Sequence, residues 1–199
     1  MSARDVAAVE VPWRLRVRPK DARGYPIPFI VFVDAKGQPH FQINDAIKLA
    51  RCIREDRCPL CGQELGRLRV FIGGVGAAFH EHGAYLDPPT HRECASYALK
   101  VCPYLAAPRY GRRLDGRTLS DASEPMVLIH DDTVDDARPE LFVAVTSHAT
   151  RRVPGTDYVR PAKPVRGVTY WRRGASVPAA EAMPIVEAAL AAIAQEHPR

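Results

Sequence analysis

Two short motifs built from cysteine and histidine constrain this chain more than any other feature of its sequence. Cys58 and Cys61 enclose a Pro-Leu pair and precede Gly62, and His91 and Cys94 follow later with two residues between them. Structural zinc sites take four Cys or His ligands in a tetrahedron. A C-x2-C turn lets both sulfurs point at one ion, and His91 and Cys94 share one face if they lie one helical turn apart. We therefore predict a closed, structural Zn²⁺ site formed by these four side chains.

The residues around the motifs favour the same interpretation. Gly62 can adopt the positive φ that directs backbone amides toward the sulfurs of a C-x2-C turn. Asp87, Pro88, Pro89 and Thr90 form a helix-start signal, in which Thr90 is the predicted N-cap. The same spacing also permits a redox C-x-x-C pair or disulfides. The redox pair does not explain the matched H-x-x-C, and we expect the five cysteines to lie in a reducing, cytoplasmic compartment.

The order of these motifs resembles a treble-clef zinc finger, which consists of a knuckle, a β-hairpin and a helix whose first turn completes the site. The resemblance covers residues 57–105 and implies that residues 68–72 form a hairpin strand. The whole chain is also similar to a family of uncharacterised bacterial and phage zinc-motif proteins, and this resemblance implies no activity. The residues that carry it are Gly24 to Pro28, the C-x-x-C-G turn, Asp87 to Cys94, Cys102 with Pro103, and Val168 to Trp171.

Length and composition allow one compact core. The chain has 199 residues, of which 46% are hydrophobic, and we predict an α+β fold with small antiparallel sheets. It contains no apolar run of the ~18 residues that a membrane helix needs. The expected organisation is a disordered tail (1–10), N-terminal strands and a helix (11–56), the zinc-binding module (57–106), a loop-rich connection (107–139) and a C-terminal strand-helix lobe (140–199).

Local patterns predict the individual elements. Residues 13–18 alternate strictly and predict a strand that buries Trp13, Leu15 and Val17. Residues 29–34 and 40–43 read as a hairpin, followed by a helix from Asn44 or Asp45 to residue 56. Further strands are expected over 141–146 and 168–172, and Pro184 is expected to open the last helix. The predicted inner face of the first helix comprises Ile47, Ala50 and Ile53. That of the last helix comprises Ile185, Val186, Ala189, Leu190 and Ile193.

Arginine-rich segments make an anionic partner a candidate. The formal net charge is +5, and only five of the 28 Lys and Arg residues are Lys. Arginine binds phosphate with two hydrogen bonds, although a GC-rich genome gives the same bias, and a solvated basic face is the alternative. The anion-binding candidates are Arg14, Arg16, Arg18, Arg109, Arg112 and Arg113.

A second group of residues is compatible with catalysis. His80 and His82 follow the glycine-rich stretch 73–76, and on a strand both imidazoles would face one side. With Asp87 and Cys102 they could surround a second metal or a haem; the alternatives are a flexible hairpin tip and a buried structural thiol. The leading hypothesis is a zinc-stabilised intracellular interaction protein that binds nucleic acid, a protein or another anionic partner, and no membrane. The alternative is a small metal- or haem-dependent enzyme built on residues 73–82 and Cys102.

Overall fold

A computed structural model describes residues 8–106 and 139–196 and shows a mixture of helices and antiparallel sheets, which confirms the α+β class. The helices are α1 (Trp13–Arg16), α2 (Ala46–Arg54), α3 (Val75–Phe79), α4 (Arg92–Val101), α5 (Pro103–Ala106) and α6 (Ala179–Glu196). The strands are β1 (Val31–Val33), β2 (Pro39–Asn44), β3 (Arg69–Gly73), β4 (Phe142–Ser147), β5 (Thr150–Arg152), β6 (Val159–Pro161), β7 (Gly167–Arg172) and β8 (Ala175–Val177).

The largest sheet has four antiparallel strands in the order β3-β4-β7-β8. Strand β4 is central and is buried on both faces, as its unbroken Phe-Val-Ala-Val run indicates. Val143 and Val145 pack on one face with Phe71 and Val186, below α3 and α6. The other face packs against α4. The sheet therefore lies between the C-terminal helix and the helix that carries His91 and Cys94.

Strand β3 links the zinc-motif segment to the C-terminal part of the chain. It pairs along its whole length with β4, so that Phe71 lies opposite Val145. The predicted hairpin within residues 57–105 is therefore wrong, because the partner of β3 comes from the C-terminal part of the chain. Within the zinc-motif segment β3 makes a single antiparallel bridge, between Val70 and Thr90.

The N-terminal hairpin and the helix after it are confirmed. β1 and β2 pair across a turn in which Gly37 has φ +79°. Asp45 caps α2 by accepting a hydrogen bond from the Lys48 amide at 3.0 Å. The predicted inner face is displaced, because Leu49 and Cys52 are buried whereas Ile47 is 79% exposed.

The segment that was predicted to be a strand from Trp13 to Arg18 is instead the short helix α1. The strand prediction is wrong because a single alternating run also fits one helical turn, in which only every third or fourth residue faces inward. Leu15 is buried, but Trp13 and Val17 are 59% and 75% exposed. Arg14, Arg16 and Arg18 consequently do not form a row on a strand.

The C-terminal helix α6 begins five residues before Pro184, which lies inside it. The prediction that Pro184 opens the helix is therefore wrong in its position. Pro184 is the sixth residue of α6, and because it lacks an amide hydrogen the Ala180 carbonyl has no i→i−4 donor from it. The predicted apolar stripe packs on the sheet, with Val186 buried and Ile185, Ala189 and Leu190 partly buried. In the described ranges, no helix combines the length and apolar character needed to cross a bilayer.

Candidate metal centre

The fold brings Cys58, Cys61, His91 and Cys94 together in the protein interior. Each residue offers one ligand atom, and these four atoms all lie within 4.8 Å of one another. All four residues are buried, with exposures of 5% or less. Bonds of ~2.3 Å to sulfur and ~2.0 Å to nitrogen place tetrahedral ligand atoms roughly 3.5–3.8 Å apart. The 3.4 Å between Cys61 Sγ and His91 Nδ1 is close to that spacing. The cluster is therefore compatible with a metal ion such as zinc.

Backbone hydrogen bonds close the tight turn that carries Cys58 and Cys61, which is called the knuckle below. The Gly62 amide donates to the Cys58 carbonyl at 2.8 Å, and the Cys58 amide donates to the Gln63 carbonyl at 2.8 Å. Gly62 has φ +78°, as predicted, and a Cβ atom on it would lie 2.7 Å from the Phe29 ring. Both constraints require glycine at this position.

The start of α4 positions the other two ligands. His91, rather than the predicted Thr90, is the N-cap residue, and Cys94 lies in the first turn, where the helix dipole stabilises a thiolate. Thr90 exchanges backbone hydrogen bonds with Val70 at 2.8 and 2.9 Å, which fixes the chain just before His91. His91 Nε2 lies 2.9 Å from the Glu64 carbonyl oxygen, which can only accept. The imidazole therefore keeps a proton on Nε2 and directs Nδ1 toward the sulfurs, the second-sphere arrangement typical of metal-bound histidine.

Contacts among the four side chains shift the pKa values of Cys61, His91 and Cys94 in different directions. Hydrogen bonds from Cys58 and Cys94, with those from His91 and the Gln63 amide, hold the pKa of Cys61 far below its usual range despite burial. Burial alone would lower the pKa of His91, but its contacts with the Cys58 and Cys61 sulfurs raise it to about 10. The interactions of Cys94 with Cys58 and Cys61, and then its burial, raise the pKa of Cys94. A divalent ion would let all three sulfurs ionise together, and it would displace protons as it binds.

The N-terminal segment covers the cluster. Leu15 of α1 packs against the three cysteines and Tyr97. Arg14 donates from Nε to Glu93 on α4 and from Nη1 to Gln63 beside the knuckle, each at 2.6 Å. The knuckle is also bonded to the segment after α1, because the Phe29 amide donates to the Leu60 carbonyl at 3.0 Å. These contacts were not predicted, since they join residues that no local pattern connects.

The three anion-binding candidates near the N-terminus all form hydrogen bonds within the protein. Arg14 binds Glu93 and Gln63, and Arg16 binds Glu10 at 2.7 Å. Arg18 donates to the Ile27 carbonyl at 3.1 Å and stacks on Phe29. The other three candidates, Arg109, Arg112 and Arg113, lie outside the described residues.

Of the residues suggested for catalysis, His80 and His82 lie close together, and Asp87 and Cys102 lie elsewhere along the chain. His80 ends α3, which replaces the expected hairpin tip, and its ring lies 5.7 Å from that of His82. Asp87 is exposed and accepts a hydrogen bond from Asn44 at 3.2 Å. Cys102 ends α4 and is partly exposed. In residues 8–106 and 139–196, Cys58, Cys61, His91 and Cys94 form the one set of three or more Cys, His, Asp or Glu side chains close enough to share an ion.

Cys52 is a buried core residue of α2. It is 1% exposed and lies on the inner face of α2. Burial, with a further contribution from the nearby Cys58 sulfur, raises the pKa of its thiol to about 12. Cys52 is therefore an unreactive thiol near the cluster and is not one of its ligands.

No family model, no curated protein and no solved structure matches this chain.

Proposed function

We propose that this chain binds one Zn²⁺ ion through Cys58, Cys61, His91 and Cys94, and that the ion has a structural role. The proposal depends on one observation, the convergence of four buried ligand atoms within 4.8 Å. Three sulfurs and one imidazole are the donor set that zinc favours over harder cations. The Glu64 carbonyl supports it further, because it orients His91 Nδ1 toward the sulfurs.

A structural role fits the donor set better than a catalytic one. Catalytic zinc sites keep one position for water or substrate, whereas four protein ligands complete the tetrahedron. Leu15 and Tyr97 pack against the cysteines and restrict the approach of solvent. The ion would fasten the knuckle to α4 and, through Arg14 and Phe29, would stabilise the N-terminal segment.

Metal analysis of the purified protein tests this proposal. We expect one zinc per chain, and cobalt substitution is expected to give the thiolate charge-transfer absorption of a tetrahedral site. Mutating His80 and His82 to Ala is the matched control and should leave the zinc content unchanged. Protein that remains folded without any metal would contradict the proposal.

We further propose that the protein acts by binding a partner, with an anionic macromolecule such as a nucleic acid as the favoured class. Support comes from the net charge of +5 and from the closed donor set, which leaves no coordination position for a substrate. The treble-clef relationship is part of this proposal, since the knuckle and the helix supply ligands in the order of that family. No observation in the described residues favours the enzyme alternative, because His80, His82, Asp87 and Cys102 are not among the side chains that converge closely enough to share an ion.

The reactivity of the cysteines provides a separate prediction. In the zinc-loaded protein, iodoacetamide should modify Cys102 first, because it is partly exposed. Cys52 should not react, since its thiol is buried and has a pKa of about 12, and metal-bound sulfurs are protected. Mass spectrometry of the labelled peptides would detect the difference. The Cys102→Ser variant should take up no label until the metal is chelated and the protein unfolded. Rapid labelling of Cys58, Cys61 or Cys94 in the native protein would contradict zinc ligation.

A further inference from the structure

The two-stranded ribbon formed by β5 and β6 places two arginines directly opposite each other. Arg151 on β5 pairs with Arg160 on β6 in an antiparallel register. Opposed residues of such a pair have Cβ atoms ~4.5–5.5 Å apart on one face, and like charges there are destabilising. The ribbon thus carries a concentration of positive charge that its own folding does not require.

The opposite face of the ribbon is attached to the rest of the fold. Val159 is completely buried in the main core, and its cross-strand partner Arg152 donates to the Ile53 carbonyl at 2.9 Å. Because side chains alternate along a strand, Arg151 and Arg160 occupy the outer face. Arg160 is held in place by a 2.7 Å hydrogen bond from Nη2 to the His82 carbonyl. The outer face is therefore preformed.

The ribbon also lacks the carboxylates that neutralise arginines elsewhere. Each of seven other arginines forms an ion pair with Asp or Glu: Arg14, Arg16, Arg23, Arg51, Arg57, Arg69 and Arg172. Residues 148–166 contain five Lys and Arg side chains and a single acid, Asp157. Within the described ranges, no carboxylate lies within 4.0 Å of the cationic groups of this segment, which belong to Arg151, Arg152, Arg160, Lys163 and Arg166.

We propose that this basic ribbon, defined as β5 and β6 together with Lys163 and Arg166, binds the phosphate backbone of a nucleic-acid duplex. The inference rests on the proposed binding function and names the surface and the partner. Guanidinium groups match phosphate oxygens in geometry and charge.

The composition of the exposed surface favours a duplex over other polyanions. Single-stranded nucleic acid is held by exposed aromatic platforms, and a membrane surface requires apolar side chains that insert between the lipids. Residues 148–166, all of which the structure describes, contain one clearly exposed large hydrophobic side chain, Val165, which is 40% exposed. The tip residues Pro154, Gly155, Thr156 and Asp157 are exposed and offer no apolar anchor.

Fluorescence anisotropy with a short labelled DNA duplex tests the inference. The ribbon variant replaces three exposed cations for which the described structure shows no side-chain partner, so that its fold is preserved: Arg151→Gln, Lys163→Gln and Arg166→Gln. The matched control removes the same charge from exposed residues elsewhere: Lys20→Gln, Lys36→Gln and Arg173→Gln. Full-length wild type and both variants are titrated at about 50 and 200 mM KCl, where phosphate contacts differ strongly in strength.

We expect the wild type and the control to bind the duplex with affinity that falls as salt rises. The ribbon variant should bind about tenfold or more weakly, and the slope of log K against log salt should shrink by about one per lost contact. Equal binding by the two variants, or no binding of DNA or RNA duplexes at low salt, would overturn the inference. Binding confined to single strands or to phosphatidylserine vesicles would also overturn it.

Measuring zinc in the same preparations separates this inference from the proposed metal site. Zinc-loaded protein that fails to bind a duplex contradicts the ribbon alone. Purified, folded protein that contains no zinc contradicts the metal proposal, and duplex binding by that protein leaves the ribbon inference standing.

Discussion

Replacing Cys94 by Ala should abolish stoichiometric zinc binding and unfold the N-terminal part of the molecule. Structural zinc contributes on the order of 10 kcal/mol to the folding of small zinc domains, whereas a whole protein is stable by roughly 5–15 kcal/mol. Leu15, Tyr97 and the three cysteines form one buried cluster, and its cysteines form no disulfide bond. Without the ion, the remaining buried thiols and the imidazole would lose the metal bonds that hold them together in the interior.

Hydrogen exchange followed by mass spectrometry measures this effect region by region. We expect amides of α1, the knuckle and the start of α4 to lose protection in Cys94→Ala. The matched control is Cys52→Ala, which removes an equally buried thiol and should cost only about 1 kcal/mol with full zinc content. Similar stability and zinc content in the two variants would show that Cys94 is not a ligand.

The second large effect is expected at Gly83, where alanine should destabilise the protein by about 3 kcal/mol or more. A Cβ atom on this residue would lie 2.4 Å from the Gly76 carbonyl oxygen and 2.7 Å from that of Ala77. Both obstacles are backbone atoms of α3, so the clash can be relieved only by moving that helix away from the following turn.

The control for this substitution is Gly66→Ala, because a Cβ atom there would have no neighbour within 4 Å. It should be neutral or slightly stabilising, since alanine restricts the unfolded chain more than glycine does. Urea denaturation of both variants compares the free energies of unfolding. Equal midpoints for the two variants would contradict the close packing of Gly83 against α3.

Local chemistry explains which predictions from the sequence agree with the structure. The strand over 141–146 and the cap at Asp45 depend on neighbouring residues, and each is found close to its expected position. The four proposed ligands were identifiable because their two spacings each fit one turn of chain, and the structure brings them together.

The features that were missed depend on contacts between distant residues. Residues 13–18 show an alternation that fits a strand as well as a single helical turn, and burial of Leu15 against the cysteines accompanies the helix. The partner of β3 could not be read from the zinc motifs, because β4 lies far along the chain. The glycines at 73, 74 and 76 resembled a flexible tip, but close contacts with Tyr85, Pro139 and Ile193 account for them.

The pairing of β3 with β4 has a consequence for the order of events during synthesis. All four proposed ligands and α4 leave the ribosome before β4 has been translated. We expect the emerging polypeptide to capture its ion first, while the β4 side of β3 is still without its neighbour. The large sheet can form only after β4 has been synthesised. A stalled or truncated product would therefore expose the unpaired edge of β3, and exposed strand edges promote aggregation.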